Sequence, residues 1–177
     1  MIIAAYILAP VVVVLAVIVA LASTRPDTFR LARTQSIKAP PEKIFPLIAD
    51  LRRLNVWNPF VQKDPAIKLT YRGPESGPGA INEWEGNRQV GKGSLEIVEA
   101  SPSSKLRMKL DMIAPIAASN TIEFTLAPHR GATDVTWSME GRVPLIAKVL
   151  HMFCSMDRMV GGQFEAGLSQ LKALAEA

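Results

Sequence analysis

The chain has 177 residues, 49% hydrophobic and 20% charged, with a net charge of +4 and one cysteine, Cys154. That length suits one domain with a real core rather than two, and a lone cysteine excludes a disulfide framework or a thiolate metal site. A nucleic-acid face is disfavoured because the positive excess is local. Residues 25–53 hold seven basic groups against three acidic ones, the rest of the chain from residue 54 balances thirteen against thirteen, and residues 1–24 are uncharged.

Ile2 to Ala22 is an uninterrupted apolar run. Twenty-one residues rising about 1.5 Å each reach roughly 31 Å, the thickness of a bilayer's hydrocarbon core. Pro10 removes one backbone bond, which a membrane helix tolerates with a local kink. Ala20-Leu21-Ala22 also fits a small-x-small cleavage site, so a secretory signal peptide is the rival reading. No Lys or Arg precedes the run, however, and it exceeds the usual ~7–15-residue signal core. The sequence therefore predicts a single transmembrane anchor over 1–24 and a domain over 25–177. Basic residues just after the span place that domain in the cytoplasm by the positive-inside rule. Cleavage would instead export it.

Phe29 to Ile37 reads as a first strand with poor alternation. Pro40-Pro41-Glu42 opens a helix carrying Ile44, Phe45, Leu47, Ile48 and Leu51, since proline and an acid suit a first turn. Pro46 would break the interior of a helix starting at Pro41, so a start near Lys43 or a bend is expected. Asn55 to Phe60 reads as an aromatic connector. Strands then follow in number. Ile67, Leu69 and Tyr71 alternate with polar neighbours; Asn82 and Trp84 oppose Ile81, Glu83 and Glu85; Leu95 and Ile97 follow Gly91 and Gly93. Leu106, Met108, Leu110 and Met112 oppose Lys105, Arg107, Lys109 and Asp111. Ile122, Phe124 and Leu126 precede a turn at Pro128-His129-Arg130-Gly131, and Val135, Trp137 and Met139 follow it. Period-two alternation over short, closely connected strands predicts an antiparallel sheet wet on one face.

The last stretch, Pro144 to Glu176, repeats apolar residues at three- and four-residue steps: Val149, Phe153, Met156, Val160, Phe164, Leu168, Leu171, Leu174. Such a stripe on a long helix needs a wide apolar partner, and the sheet supplies it. The predicted class is α+β, a helix-grip fold with one curved antiparallel sheet around a long C-terminal helix, preceded by one transmembrane helix.

These residues carry a family likeness. Ala39-Pro40-Pro41-Glu42-Lys43-Ile44-Phe45 before Trp57-Asn58-Pro59, then Trp84-Glu85-Gly86-Asn87 with Gly91-Lys92-Gly93, resembles the START-like (SRPBCC) superfamily, in its bacterial polyketide cyclase/dehydrase-like branch. Val135 to Met139, Met156 to Gly161 and Phe164 to Leu168 extend the likeness over about residues 30–176. It implies a deep apolar cavity between sheet and last helix, used across the superfamily for lipids, sterols, quinones and polyketides.

The candidate ligand-binding residues are Trp57, near the mouth, with Trp84, Met108, Phe124, Trp137, Met156, Val160 and Gly161. Six of the seven methionines fall between Met108 and Met159, and such polarisable side chains suit an adaptable cavity or a plain core. Gly161-Gly162 and Gly167 suit either close approach of the helix backbone or a kink. Asp157 reads as a solvated charge. Catalytic signals are thin. His151 and Cys154 stand three apart on a helix without a placed acid, and Glu83 and Glu85 share a strand face that reads as wet. No metal-ligand spacing, phosphate loop or nucleophile elbow is present, and no cofactor is called for. The expected partners are a hydrophobic small molecule and a membrane, with binding ranked above catalysis; a polyketide cyclase or dehydratase and an interaction module with a filled core are the alternatives.

Overall fold

The structure, a computed structural model, describes residues 13, 17–143, 148–149 and 157–177, without the side chains of Arg158 and Met159. Its frame is a seven-stranded antiparallel sheet: β1 (Thr28–Ile37), β2 (Lys68–Arg72), β3 (Ile81–Glu85), β4 (Lys92–Ser101), β5 (Lys105–Ala114), β6 (Ala118–His129) and β7 (Ala132–Arg142). The strand order is β1-β7-β6-β5-β4-β3-β2, so β2 to β7 form a meander and β1 closes the far edge against β7. β4 slips register at Lys92/Gly93 and again between Ile97 and Glu99. Each extra residue bends and twists its strand, which curls the sheet. The β6–β7 turn is tighter than expected. Pro128 and His129 still pair with Thr133 and Ala132, and only Arg130 and Gly131 turn, both at positive φ (48° and 80°). Two such residues match the right-handed twist of the flanking strands.

The inner face of the sheet is the apolar one. Leu106, Met108, Ile122, Phe124, Leu126, Val135, Trp137 and Met139 are all buried. Against them lies α3 (Gly162–Glu176), burying Phe164, Leu168, Leu171 and Ala175 at the spacing the sequence predicts for one helix face. Fully burying one such leucine contributes about 1.5–3 kcal/mol. Of the helix expected from Pro144, the described parts are residues 148–149, which are helical, and the turns from Asp157 onward. Asp157–Gly161 is a wider π turn, and regular α-helix starts at Gly162. Residues 144–147 and 150–156, with His151, Cys154 and Met156, lie outside the described residues.

Two short helices fill the link between β1 and β2, and both correct the sequence reading. α1 (Pro41–Ala49) starts at Pro41, with Pro46 inside it. Lys43 and Ile44 both donate to the Pro40 carbonyl, so the helix is under way before Pro46 drops its one bond. Asp50 then turns extended and ends α1 after nine residues. Its carboxylate accepts from the Arg52 N–H at 2.8 Å and from that of Arg53, starting α2 (Leu51–Trp57). Asn55, Val56 and Trp57 therefore complete a helix, and only Asn58 to Phe60 precede a 3₁₀ turn at Val61–Lys63.

Polar contacts fasten α3 to the edge strand. Arg33 donates through Nε to Glu165 at 2.6 Å and through Nη2 to Asp157 at 2.5 Å. Those two carboxylates hold the guanidinium above its ordinary pKa, Glu165 contributing most. Asp157 is thus a cross-link to β1 while its side chain stays largely exposed, as a solvated charge would. Lys172 Nζ donates to the Ser36 carbonyl at 2.9 Å, and the Lys38 N–H donates to Glu176 at 2.6 Å. Ahead of β1, residues 17–23 are helical. No helix among the described residues is long and apolar enough to cross a membrane; residues 1–12 and 14–16, most of the predicted span, lie outside them.

Candidate functional site

The curved sheet and α3 do not close on one another completely. Between them is a cavity of about 760 Å³. Its walls follow from strand register. One row across the sheet reads Asn82, Leu95, Leu110, Asn120, Gly141, Phe29, each paired with the next across six strands. All but Gly141 line the cavity. A side chain at Gly141 would strike the Asn120 amide and the Phe29 ring, so the glycine makes room for both.

The floor is aromatic. Trp137 stacks on Phe164, centroids 4.0 Å apart and 9° from parallel, and on Phe124 at 5.1 Å. Trp57 meets Trp137 edge-on at 5.7 Å and Phe124 at 6.0 Å. Offset and edge-to-face pairs of this kind contribute about 0.5–1.5 kcal/mol each beyond area burial. Helix α3 reaches the stack because Gly167 has no side chain. A Cβ there would sit 2.8 Å from the Trp137 ring and 3.0 Å from Pro59.

Trp84, Met108, Phe124, Trp137 and Val160 all line the cavity. Trp84 forms a wall, its ring lying over Gly93 on the neighbouring strand and its indole N–H donating to the Val90 carbonyl at 3.3 Å. Trp57, expected near the mouth, is 1% exposed behind the floor, with its N–H on the Leu47 carbonyl at 2.9 Å. It braces the stack and does not line the cavity. Gly161 faces away, toward Arg33 and Asp157, where a Cβ would come within 2.5 Å of the guanidinium. The helix glycine in close contact with the sheet is Gly167. Met156 lies outside the described residues.

Sequence reasoning passed over Asn82 and Asn120. Parity with Trp84 placed Asn82 on the inner face, and that was the available signal; an asparagine on a strand is easily read as wet. Asn82 is 3% exposed and Trp137 5%. The Asn82 Oδ1 and the Trp137 Nε1 find no hydrogen-bond partner among the described residues.

No Asp, Glu, His or Cys of the described residues lines the cavity. The carboxylates whose pKa values are displaced downward lie outside it: Asp27 by the Lys148 ammonium, Glu99 by Lys105, Asp111 by Lys109 and Ser119, and Glu176 by the Lys38 N–H and then Lys172. Glu83 pairs with Arg72 at 3.0 Å and Glu85 with Lys92 at 3.4 Å, a wet strand face. Among the described residues no cluster of His, Cys, Asp or Glu could hold a metal ion. The arrangement can enclose an apolar molecule and offer it a few hydrogen bonds. The described part of the lining places no carboxylate, imidazole or thiol there, and its two charged side chains, Lys63 and Arg142, are exposed.

A sheet gripping a C-terminal helix around such a cavity defines the helix-grip class. The family described as polyketide cyclase / dehydrase and lipid transport matches residues 28–176, and the chain belongs to it. Solved structures of the same fold include protein CV1439 from Chromobacterium violaceum, with 21% identity and a TM-score of 0.58, covering 86% of this chain and 99% of that one. An uncharacterised protein from Rhizobium leguminosarum superposes with a TM-score of 0.61 at 11% identity, covering 84% and 95%. The Aha1 dimer from Colwellia psychrerythraea gives 0.57 at 16%, covering 84% and 96%. At these identities the likeness is one of fold. Among curated proteins none matches this chain.

Proposed function

We propose that this protein binds a hydrophobic small molecule, of lipid, quinone or polyketide type, in the cavity between sheet and α3, and that an N-terminal anchor holds the cavity beside a membrane. The observation that carries the first part is the cavity. Its volume of about 760 Å³ falls within the roughly 300–1,000 Å³ of small-molecule sites, which are mostly apolar with a few placed polar groups. A side-chain-filled interaction module would have no such space. Cyclisation or dehydration of a bound chain is the second reading, favoured by the polar residues Asn82, Ser119 and Asn120 in the lining.

Two features support the anchor. The apolar N-terminal run leads into β1 at the end of the sheet where β5 passes to β6. The end of β5 and the loop after it expose Ile113 and Ile116, each 61% accessible, and Ile116 also lines the cavity. An anchored domain would thus present an apolar rim to the bilayer and keep the mouth near a source of ligand, raising effective concentration without new contacts.

The test is organic extraction of the purified, detergent-solubilised full chain, followed by mass spectrometry of what came with it. Leu110→Trp, which fills the wall, should lose the extracted molecule and still fold. At one hundred times its dissociation constant the ligand should stabilise by about 2.7 kcal/mol, which at roughly 2–4 °C per kcal/mol raises Tm by several degrees. No extracted molecule, and no melting shift with fatty acids, sterols, quinones or aromatic polyketides, would refute the binding reading.

A further inference from the structure

The hairpin between β5 and β6 has an unusual composition. Residues 112–118 are all Met, Ile, Ala or Pro, and residues 113 and 115–118 are exposed. Turns ordinarily carry Gly, Asn, Asp or Ser, and a run of exposed apolar residues is unfavourable in water. The hairpins at the other edge of the sheet keep to that rule. Residues 72–81, 99–105 and 129–134 turn through Gly, Pro or Ser, and each holds one lysine or arginine and one carboxylate: Arg72 with Glu75, Lys105 with Glu99, Arg130 with Asp134.

Strand register sets the apolar tip in a basic surround. Thr28 pairs with Arg142, Met112 with Ala118, Lys92 with Ala114 and Lys68 with Glu85, so these strand ends share one edge of the sheet. Asn87 donates to the Asp64 carboxylate and the Lys63 carbonyl, and Lys148 donates to the Arg25 carbonyl, which brings those residues to the same edge. Residues 25–28, 63–68, 85–92 and 142–143, with Lys148, thus gather seven basic groups against three acidic ones. Asp27 is taken up by Lys148 and Glu85 by Lys92, while Asp64 is buried on backbone N–H groups. Arg25, Lys63, Lys68, Arg88 and Arg142 remain exposed and in excess.

We infer that this edge is a docking surface for an anionic bilayer, whose acyl boundary takes the β5–β6 tip while the surrounding cations meet its phosphate headgroups. This rests on the membrane half of the reading above, and adds a requirement for lipid charge that an anchor alone does not impose. Interfacial segments bind by burying apolar area and by attraction to anionic lipid together. A nucleic acid would take the cations and leave the tip in water, and a second copy would set like charge against like. A bilayer satisfies both features, and the apolar N-terminal run leads into β1 at this same edge. Because Ile116 also lines the cavity, a docked tip sets the mouth against the acyl region.

The experiment puts an environment-sensitive NBD label on the full chain at Ile113→Cys, in a Cys154→Ser background, with Ile116→Cys as a second site should the first variant not fold. The chain is reconstituted in nanodiscs of phosphatidylcholine alone or in an equal mixture with phosphatidylglycerol. In the anionic discs the label should brighten and shift to the blue as it leaves water, and high salt should reverse this. In the neutral discs it should stay aqueous. A label at Glu75→Cys, on the opposite edge, should stay aqueous in both. Arg88→Gln combined with Lys68→Gln should lower the docking equilibrium constant in anionic discs about fivefold per charge removed, the share of one basic residue near an anionic surface. A chain that enters both discs with residue 113 in water in each overturns this inference and leaves the anchor standing. An equal blue shift in both discs overturns it too, since lipid charge then plays no part. A blue shift in detergent alone that grows with protein concentration gives the edge to a second copy instead. Failure to enter either disc overturns both this inference and the anchor.

Discussion

The contact between α3 and the aromatic floor can be tested by the same substitution at two glycines of one helix. At Gly167 a Cβ would lie 2.8 Å from the Trp137 ring and 3.0 Å from Pro59 Cδ, closer than side chains pack. Trp137 has little freedom to withdraw, being held between Phe164 and Phe124 with Trp57 against its edge. Gly167→Ala must therefore lift the helix or push the indole toward the cavity. Overpacking of this kind costs about 1–3 kcal/mol, against a gain of about 0.8–1.0 kcal/mol from replacing glycine within a helix. The balance is a net loss of up to about 2 kcal/mol. At Gly162 a Cβ meets nothing within 4 Å. There only the propensity gain applies, so Gly162→Ala should stabilise by about 0.8–1.0 kcal/mol. Thermal unfolding of the full chain by circular dichroism reads both, at roughly 2–4 °C per kcal/mol: Gly167→Ala should melt lower than wild type and Gly162→Ala higher. Retention of the extracted molecule should also fall in Gly167→Ala alone. If both variants gain stability equally, the helix does not press on Trp137 and the floor described here is wrong.

Arg33→Met keeps the apolar stem and removes the links to Asp157 and Glu165, so Tm should fall at low salt and the deficit shrink as salt rises; an unchanged low-salt Tm would contradict the cross-link. Acid should destabilise the fold. Asp27, Glu99, Asp111 and Glu176 all have lowered folded-state pKa values, so in acid the unfolded chain binds more protons than the folded one. Their contribution is present above the ordinary carboxylate range, about pH 4, and is lost as pH falls through each folded value. Glu176→Gln should flatten that acid limb in a pH series of melts, and an identical limb would remove Glu176 from the account. For topology, a C-terminal reporter that fluoresces only in the cytoplasm should light up, while a periplasm-dependent phosphatase fusion should stay inactive. The opposite pattern, or a mature chain beginning at Ser23, would sink the anchor.

The fold was legible because its signals are local. Leu106, Met108, Ile122, Phe124, Val135 and Trp137 declare one inward face by alternation alone, and Phe164, Leu168 and Leu171 declare one helix face by their spacing. β1 looked irregular for a reason that only the tertiary structure supplies: Arg33 and Trp137 are cross-strand partners on one face, and the charge there reaches over to the carboxylates of the last helix. The turn at Asp50 was likewise hidden, since an aspartate's competence as a cap matters only once the backbone turns extended. Periodicity tells which face a side chain takes, but not which row it joins or how far the opposite wall stands. Alternation thus put Asn82, Trp84 and Trp137 inward, while pairing across six strands and the approach of α3 at Gly167 decided that Trp57 braces the floor, that Gly161 turns away, and that Trp137 lines the cavity. Those outcomes depend on contacts between residues far apart in the chain, and no local pattern encodes a distance across a cavity.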